Sequence, residues 1–189
     1  MTLDLPRAHR DALAETGRLV AAVGDDQWHL PTPCEDWDVG ELVNHVVGGN
    51  LWVAPLMTGS TIEEVGDRLD GDVLGDDPVD AYRRSADEAD AAFSVEGAMD
   101  APANVSYGPV PGRVYAGHRL VDVLVHGWDL AVGAGLDTRL RPDLVDACLE
   151  VVVPEADVLA ASGAFGEDHD VPEGASPQTR LLALLGRHG

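Results

Sequence analysis

Residues 117–133 read GHRLVDVLVHGWDLAVG, a segment that is apolar almost throughout. When it is placed on a helix at about 100° per residue, its two histidines and two aspartates fall in one narrow polar strip. These side chains are His118, Asp122, His126 and Asp129. A surface helix would carry a broad polar face instead. The pattern therefore predicts a mostly buried helix whose thin polar strip needs partners.

Asp122 and His126 stand four residues apart, so one lies above the other on a helix. At this spacing a helix can offer two ligands to a single ion. Burying histidines and carboxylates costs several kcal/mol unless they are paired or bind a metal. On spacing alone, two interpretations stay open: a metal site, or a polar strip that simply faces water.

The chain is strongly acidic. Its 189 residues include 34 Asp and Glu against 12 basic residues, all of them Arg, which gives a formal net charge of −22. This surface disfavours nucleic acid and anionic membranes as partners. An apolar run of about 18 residues and a basic-then-apolar leader are both absent, so we expect a cytoplasmic protein. The length fits one domain, residues 1–189, with a sizeable core.

Residues 39–57 predict a second long helix, which follows an extended segment containing two prolines. Asp38 is a good N-cap, and Glu41 three residues later completes a capping-box pattern. His45 projects at the edge of the apolar stripe of this helix. The second helix therefore brings one histidine to the border of the core.

The remaining sequence is also helical in pattern, and no alternating apolar and polar run is long enough to predict a sheet. His9 lies near the flank of the apolar stripe of the first helix, where it either approaches the core or, as we expect, stays at the surface near the first turn. The other predicted helices cover residues 6–23, about 62–69, 77 or 78 to 95, 143–153, about 155–161 and about 178–185. The fold class is therefore all-α: a four-helix bundle with long crossover connections and extra short C-terminal helices.

A bundle core is a place where facing helices converge on a metal. His45, Asp122 and His126 would supply two imidazoles and one carboxylate, which leaves a coordination position for water or a substrate. Zn²⁺ fits this set, and Ni²⁺, Mn²⁺ and Fe²⁺ fit it as well. Asp129 and His118 would either orient these ligands, replace Asp122 as a ligand, or bind the metal together with Asp122.

Gly48 and Gly49 lie one turn from His45. Each glycine inside a helix costs about 1 kcal/mol relative to alanine. We therefore expect a second helix or a ligand to need the space beside them. The predicted cofactor or substrate pocket is lined by Gly49 and Trp52, with Arg113 contributed by the Pro/Gly-rich loop at residues 99–116.

The two cysteines show no metal-finger spacing, and both are expected to be reduced thiols. Cys34 lies shortly before the second helix, whose N-terminus would favour a reactive thiolate, and a structural role is the alternative. Cys148 is predicted to be a small core residue of a C-terminal helix. His169 lies among acidic residues. This segment is either a weak metal-binding patch or part of a solvated loop.

Four segments of the chain carry a resemblance to a known family. They are PTPCEDWDVGELVNHVVGGN at residues 31–50, HGWDLA at residues 126–131, and the C-terminal pair FGEDHDVP and SPQTRLLALLGR. Together they resemble the DinB-like superfamily, and within it the actinobacterial branch related to the N-terminal domain of mycothiol-dependent maleylpyruvate isomerase. The resemblance implies a four-helix bundle that holds a divalent metal, with His45, Asp122 and His126 as the matching ligands. Where the isomerase relatives carry Glu, this chain has the shorter Asp122.

The resemblance also implies a chemistry. Related proteins are S-transferases or isomerase-like enzymes that use mycothiol or bacillithiol, and a metal-bound thiol loses its proton to give a nucleophilic thiolate. We therefore expect a metal-dependent thiol S-transferase that acts on a small electrophile, with no catalytic side chain beyond the metal ligands. The alternatives are a non-catalytic metal-binding bundle and a hydrolase in which the metal activates water, with Asp129 or Glu41 as a base. Bundles of this type often pair, which is compatible with a homodimer.

Overall fold

The computed structural model describes residues 3–155 and 174–187, and the chain divides into two units, Met1–Thr138 and Arg139–Gly189. The helices of the first unit are α1 (Leu5–Val20), α2 (Val39–Leu51), α3 (Val53–Met57), α4 (Ile62–Val65), α5 (Pro78–Phe93) and α6 (Gly112–Gly133). An antiparallel hairpin of β1 (Pro102–Val105) and β2 (Gly108–Pro111) precedes α6. In the second unit, α7 (Pro142–Val152) leads into a 3₁₀ turn at Val153–Glu155, and α8 (Pro177–Leu184) follows.

The four long helices of the first unit form a bundle. Helix α1 packs against α5 and α6, and α2 packs against the same two helices. The predicted all-α, DinB-like four-helix bundle is confirmed. None of the described helices is both long and apolar enough to cross a membrane.

Helix α6 is the most buried element of the bundle, as its apolar pattern predicts, and most of its side chains lie inside the core. It approaches α1 closely at Gly127, where a Cβ atom would lie 2.5 Å from Oγ1 of Thr16. The same hydroxyl donates a 3.0 Å hydrogen bond to the carbonyl oxygen of Val123. This close approach fixes the position of α6 relative to α1. It therefore also fixes the positions of the polar residues on α6.

The predicted capping box at the start of α2 is confirmed, because Asp38 and Glu41 each accept a hydrogen bond from the other's backbone N–H. The predicted single helix over residues 39–57 is instead divided at Trp52 into α2 and α3. Pro55 explains the break, because a proline has no N–H to donate and its ring clashes with the carbonyl four residues earlier.

The hairpin is a departure from the sequence-based expectation. Its two strands lie within residues 99–116, which were predicted to be a loop, and each strand is only four residues long. Gly108, with a φ of 113°, allows the tight reversal between them. Strands this short, rich in proline, carry no alternating pattern that sequence reasoning can detect.

In the second unit, α7 packs against α8, and Cys148 is fully buried in α7 as predicted. The predicted helical turn at residues 155–161, apart from its first residue, and the acidic segment around His169 lie outside the described residues.

The expected surface position of His9 is wrong. His9 lies four residues before Leu13, on the same stripe of α1, and has no exposed surface. Its ring meets Phe93 edge to face, with the centroids 5.0 Å apart, and neither ring nitrogen has a hydrogen-bond partner within the described part of the chain. Burial, with a smaller contribution from the guanidinium of Arg119, lowers the pKa of His9 to about 3.

We expect His9 to make the metal-free protein sensitive to acid. The unfolded chain takes up a proton at this histidine near pH 6.5, and the folded chain only near pH 3, so the free energy of unfolding falls as the pH drops between these values. From pH 7 to pH 5 this amounts to about 2 kcal/mol, at about 1.4 kcal/mol per pH unit. His9→Leu should remove that contribution, measured by urea unfolding at both pH values with a chelator present. If the free energy of unfolding of His9→Leu falls between pH 7 and pH 5 as much as that of the unchanged protein, His9 is not the source of the acid sensitivity.

Candidate functional site

Helices α2 and α6 bring together the three residues that the sequence singles out as metal ligands. His45 Nε2 lies 3.4 Å from Asp122 Oδ1, and His126 Nδ1 lies 3.4 Å from the same oxygen. One ligand atom from each residue falls within 4.8 Å of the others. We call these three residues the His45 group.

A buried arginine holds the carboxylate of this group in place. Arg119 Nη1 donates a 2.7 Å hydrogen bond to Asp122 Oδ2, and Arg119 Nη2 donates to Asn50 Oδ1 at 3.0 Å. The other oxygen, Oδ1, is thereby left facing the two imidazoles. Sequence analysis missed Arg119, although an arginine three residues before an aspartate on an apolar helix is a recognisable pair.

Gly49 makes room for this arginine. A Cβ atom at residue 49 would lie 2.2 Å from Arg119 Nη1, whereas a Cβ atom at Gly48 would have no neighbour within 4 Å. The expectation that the glycine pair leaves space for a neighbour therefore applies to Gly49, and the neighbour is a side chain of α6.

The charges of the group depend on one another. Burial alone would raise the pKa of Asp122, but Arg119 and His126 hold that pKa well below its usual range. Burial alone would lower the pKa of His126, but Asp122 raises it to about 10, with smaller contributions from Cys34 and Asp129. The site thus favours positive charge at His126.

The donor set fits a divalent metal. The donors are two imidazole nitrogens and one carboxylate oxygen. One of the nitrogens belongs to His45, which is only half-buried, so coordination positions stay open toward solvent. A bound ion would take the place of the proton on His126, because only the neutral ring binds a metal. Asp122 would supply Oδ1 while its other oxygen stays with Arg119.

A second group of donors shares His126. Cys34 Sγ lies 3.3 Å from Asp129 Oδ2, and one donor atom each from Cys34, His126 and Asp129 falls within 4.8 Å of the others. We call these residues the Cys34 group. Asp129 has no exposed surface, and its carboxylate falls in this group with His126 and not in the His45 group.

A groove of about 590 Å³ opens beside His45, within the size range of small-molecule sites. Trp37 stacks on the His45 ring at a centroid distance of 4.4 Å. The groove is lined by Trp28, His29, Trp37, Asp38, Gly40, Glu41, Asn44, His45, Gly71, Asp72 and Leu74. Its rim carries three carboxylates and two indoles, contributed by Trp28, by Trp37, Asp38 and Glu41 around the start of α2, and by Asp72.

The other predicted site residues lie elsewhere. His118 shares a 2.6 Å hydrogen bond with the hydroxyl of Tyr107 and belongs to neither donor group. Arg113 pairs with Asp100. Arg113, Trp52 and Gly49 are not among the described residues that line the groove beside His45.

Substitution of the two neighbouring glycines should have opposite effects on stability. Gly49→Ala should push the guanidinium of Arg119 away from Asp122 and lower the free energy of unfolding by about 3 kcal/mol, the scale for a broken buried ion pair. Gly48→Ala, the matched control, should raise it by roughly 0.5–1 kcal/mol through helix propensity alone. Urea unfolding of both variants measures the difference, and a gain in stability for both would show that Arg119 is not confined there.

Comparison with known proteins places this site in a family. The family model described as the mycothiol maleylpyruvate isomerase N-terminal domain matches residues 9–131. Two uncharacterized proteins, from two strains of Mycobacterium tuberculosis, are 35% identical to this chain over 189 residues, covering 98% of both chains in each case. No solved structure matches the chain. The match includes every residue of both donor groups, and the chain belongs to the mycothiol maleylpyruvate isomerase N-terminal domain family.

Proposed function

We propose that this protein is a divalent-metal-dependent thiol S-transferase, in which the metal activates a low-molecular-weight thiol such as mycothiol for attack on a small electrophile. The observation that carries the proposal is the convergence of His45, Asp122 and His126, from two helices, to within 4.8 Å beside an open groove. The family supports the choice of thiol, because its name links it to mycothiol-dependent chemistry.

Zn²⁺ is the metal that this donor set favours, with Ni²⁺, Mn²⁺ and Fe²⁺ as alternatives. When bound, such an ion lowers the pKa of a coordinated thiol, so that the thiolate is present at neutral pH. The chain then needs no nucleophile of its own.

The residues around the site hold and orient its parts. Arg119 fixes Asp122 through Oδ2, and Trp37 fixes the plane of His45 by stacking on its ring. The Trp37 indole also covers one face of His45 and so restricts the approach of water to that face. Both side chains are set before any ligand arrives, which reduces the entropy lost on binding.

The groove would hold the electrophile and the body of the thiol. Its indoles at Trp28 and Trp37 offer apolar surface, and its carboxylates at Asp38, Glu41 and Asp72 offer hydrogen-bond acceptors. A rim of carboxylates repels anions. We therefore expect a neutral or cationic electrophile and not a dicarboxylate.

A second candidate function is a non-catalytic bundle. The observation in its favour is the Arg119–Asp122 ion pair, which already compensates the buried carboxylate without a metal. A hydrolase, in which the metal would activate water, is the third candidate. Two measurements distinguish the three candidate functions: whether the protein binds a metal, and whether its turnover requires a thiol.

We expect His126→Ala to lose bound metal and His45→Ala to lose thiol transfer. His126 belongs to both donor groups, so its removal leaves neither intact. Zinc content is measured by elemental analysis after dialysis. Transfer of mycothiol to an activated aryl chloride is followed in the zinc-loaded protein. The value of kcat/KM for His45→Ala should fall by more than ~100-fold, beyond the loss seen for residues that only orient ligands.

His118→Ala is the matched control, because His118 lies on the same helix and pairs with Tyr107 outside both groups. It should keep its zinc and its activity, and circular dichroism confirms that each variant is folded. Zinc binding without turnover would favour the non-catalytic bundle. Hydrolysis of esters or amides without added thiol would favour the hydrolase.

A further inference from the structure

We propose that Cys34, His126 and Asp129 form a second cation site, which takes thiophilic divalent ions such as Zn²⁺, Co²⁺ or Cd²⁺ and shares only His126 with the His45 group. The proposal does not require thiol transfer, and its test reads a metal–sulfur bond with no substrate present.

The geometry of the Cys34 group suits a single ion. Cys34 Sγ and Asp129 Oδ2 are 3.3 Å apart, and the three donor atoms lie within 4.8 Å of one another. Zinc binds sulfur, nitrogen and oxygen at about 2.0–2.3 Å, so two donors on one ion lie at most about 4.6 Å apart. Small side-chain movements are enough to bring the three donors onto one ion.

The loop before α2 holds the sulfur in position. Thr32 Oγ1 accepts a 3.1 Å hydrogen bond from the backbone N–H of Cys34 and donates at 2.8 Å to the carbonyl oxygen of Trp37. The loop is closed by a β-bridge between Pro31 and Asp38. Cys34 is therefore placed above Asp129 of α6 by a constrained turn, although 95 residues separate the two in sequence.

The burial and the donor types define the ligand. Asp129 is fully buried and His126 is 6% exposed, whereas Cys34 is partly exposed, so an ion reaches the site from the side of the sulfur. One sulfur, one nitrogen and one oxygen select thiophilic ions over Mg²⁺ and Ca²⁺, which prefer oxygen ligands alone. On binding, the thiol proton of Cys34 and the proton on His126 pass to solvent, and a metal–sulfur bond forms without a change of oxidation state.

The two groups are separable by mutation. Cys34 and Asp129 do not share a donor cluster with His45 or Asp122 in the described part of the chain. His45→Ala therefore disrupts the His45 group and leaves every donor of the Cys34 group in place.

The test uses the full chain with the His45→Ala substitution, reduced and loaded with Co²⁺. A Co²⁺–thiolate bond produces a charge-transfer absorption in the near ultraviolet, which nitrogen and oxygen ligands do not produce. We expect this band in His45→Ala, its loss in the double variant His45→Ala/Cys34→Ser, and its retention in His45→Ala/Cys148→Ser. Cys148 is the matched control, because it is the other cysteine of the chain and is fully buried.

A second measurement uses the unmodified protein and needs no variant to fold. Zn²⁺ should slow alkylation of Cys34 by iodoacetamide at least tenfold, followed by mass spectrometry, and a chelator should restore the rate. Absence of the cobalt band in folded His45→Ala, a band that survives Cys34→Ser, or alkylation unaffected by Zn²⁺ would each overturn the proposal. Failure of thiol transfer alone would overturn the proposed function and leave this site standing.

Discussion

The buried ion pair between Arg119 and Asp122 organises the centre of the bundle. It joins two residues of α6 and, through Asn50 Oδ1 and the space left by Gly49, ties α6 to α2. A buried guanidinium or carboxylate without its partner would be strongly destabilising. The separation and register of the two helices are therefore coupled to the position of one carboxylate oxygen, the one that faces His45 and His126.

His126 stands where the two donor groups meet. Its Nδ1 lies 2.9 Å from the carbonyl oxygen of Asp122, and the Cys34 thiol contributes to its raised pKa. A cation at His126, whether a proton or a metal ion, balances the negative charge that surrounds it. This charge balance offsets part of the energetic cost of burying His126 in the core.

The helical part of the fold was readable from the sequence to a large degree. Apolar periodicity predicted the four bundle helices, and the capping pattern of Asp38 and Glu41 located the start of α2 to the residue. The break at Trp52 and the hairpin before α6 were not predicted, although Pro55 carried a signal for the first. His9 was misplaced, although it stands four residues before Leu13 and therefore lies about one turn away on the same side of α1.

The sequence by itself determined that α6 is buried, that its Asp122 and His126 share one face, and that His45 lies at the edge of the apolar stripe of a second helix. These follow from helical periodicity, which is a local property of the chain. Only the tertiary structure decided that Arg119 occupies the space at Gly49, that Trp37 stacks on His45, and that Cys34 meets Asp129. Those contacts join residues up to 95 positions apart, and their distances depend on how helices and loops pack, which no local pattern encodes.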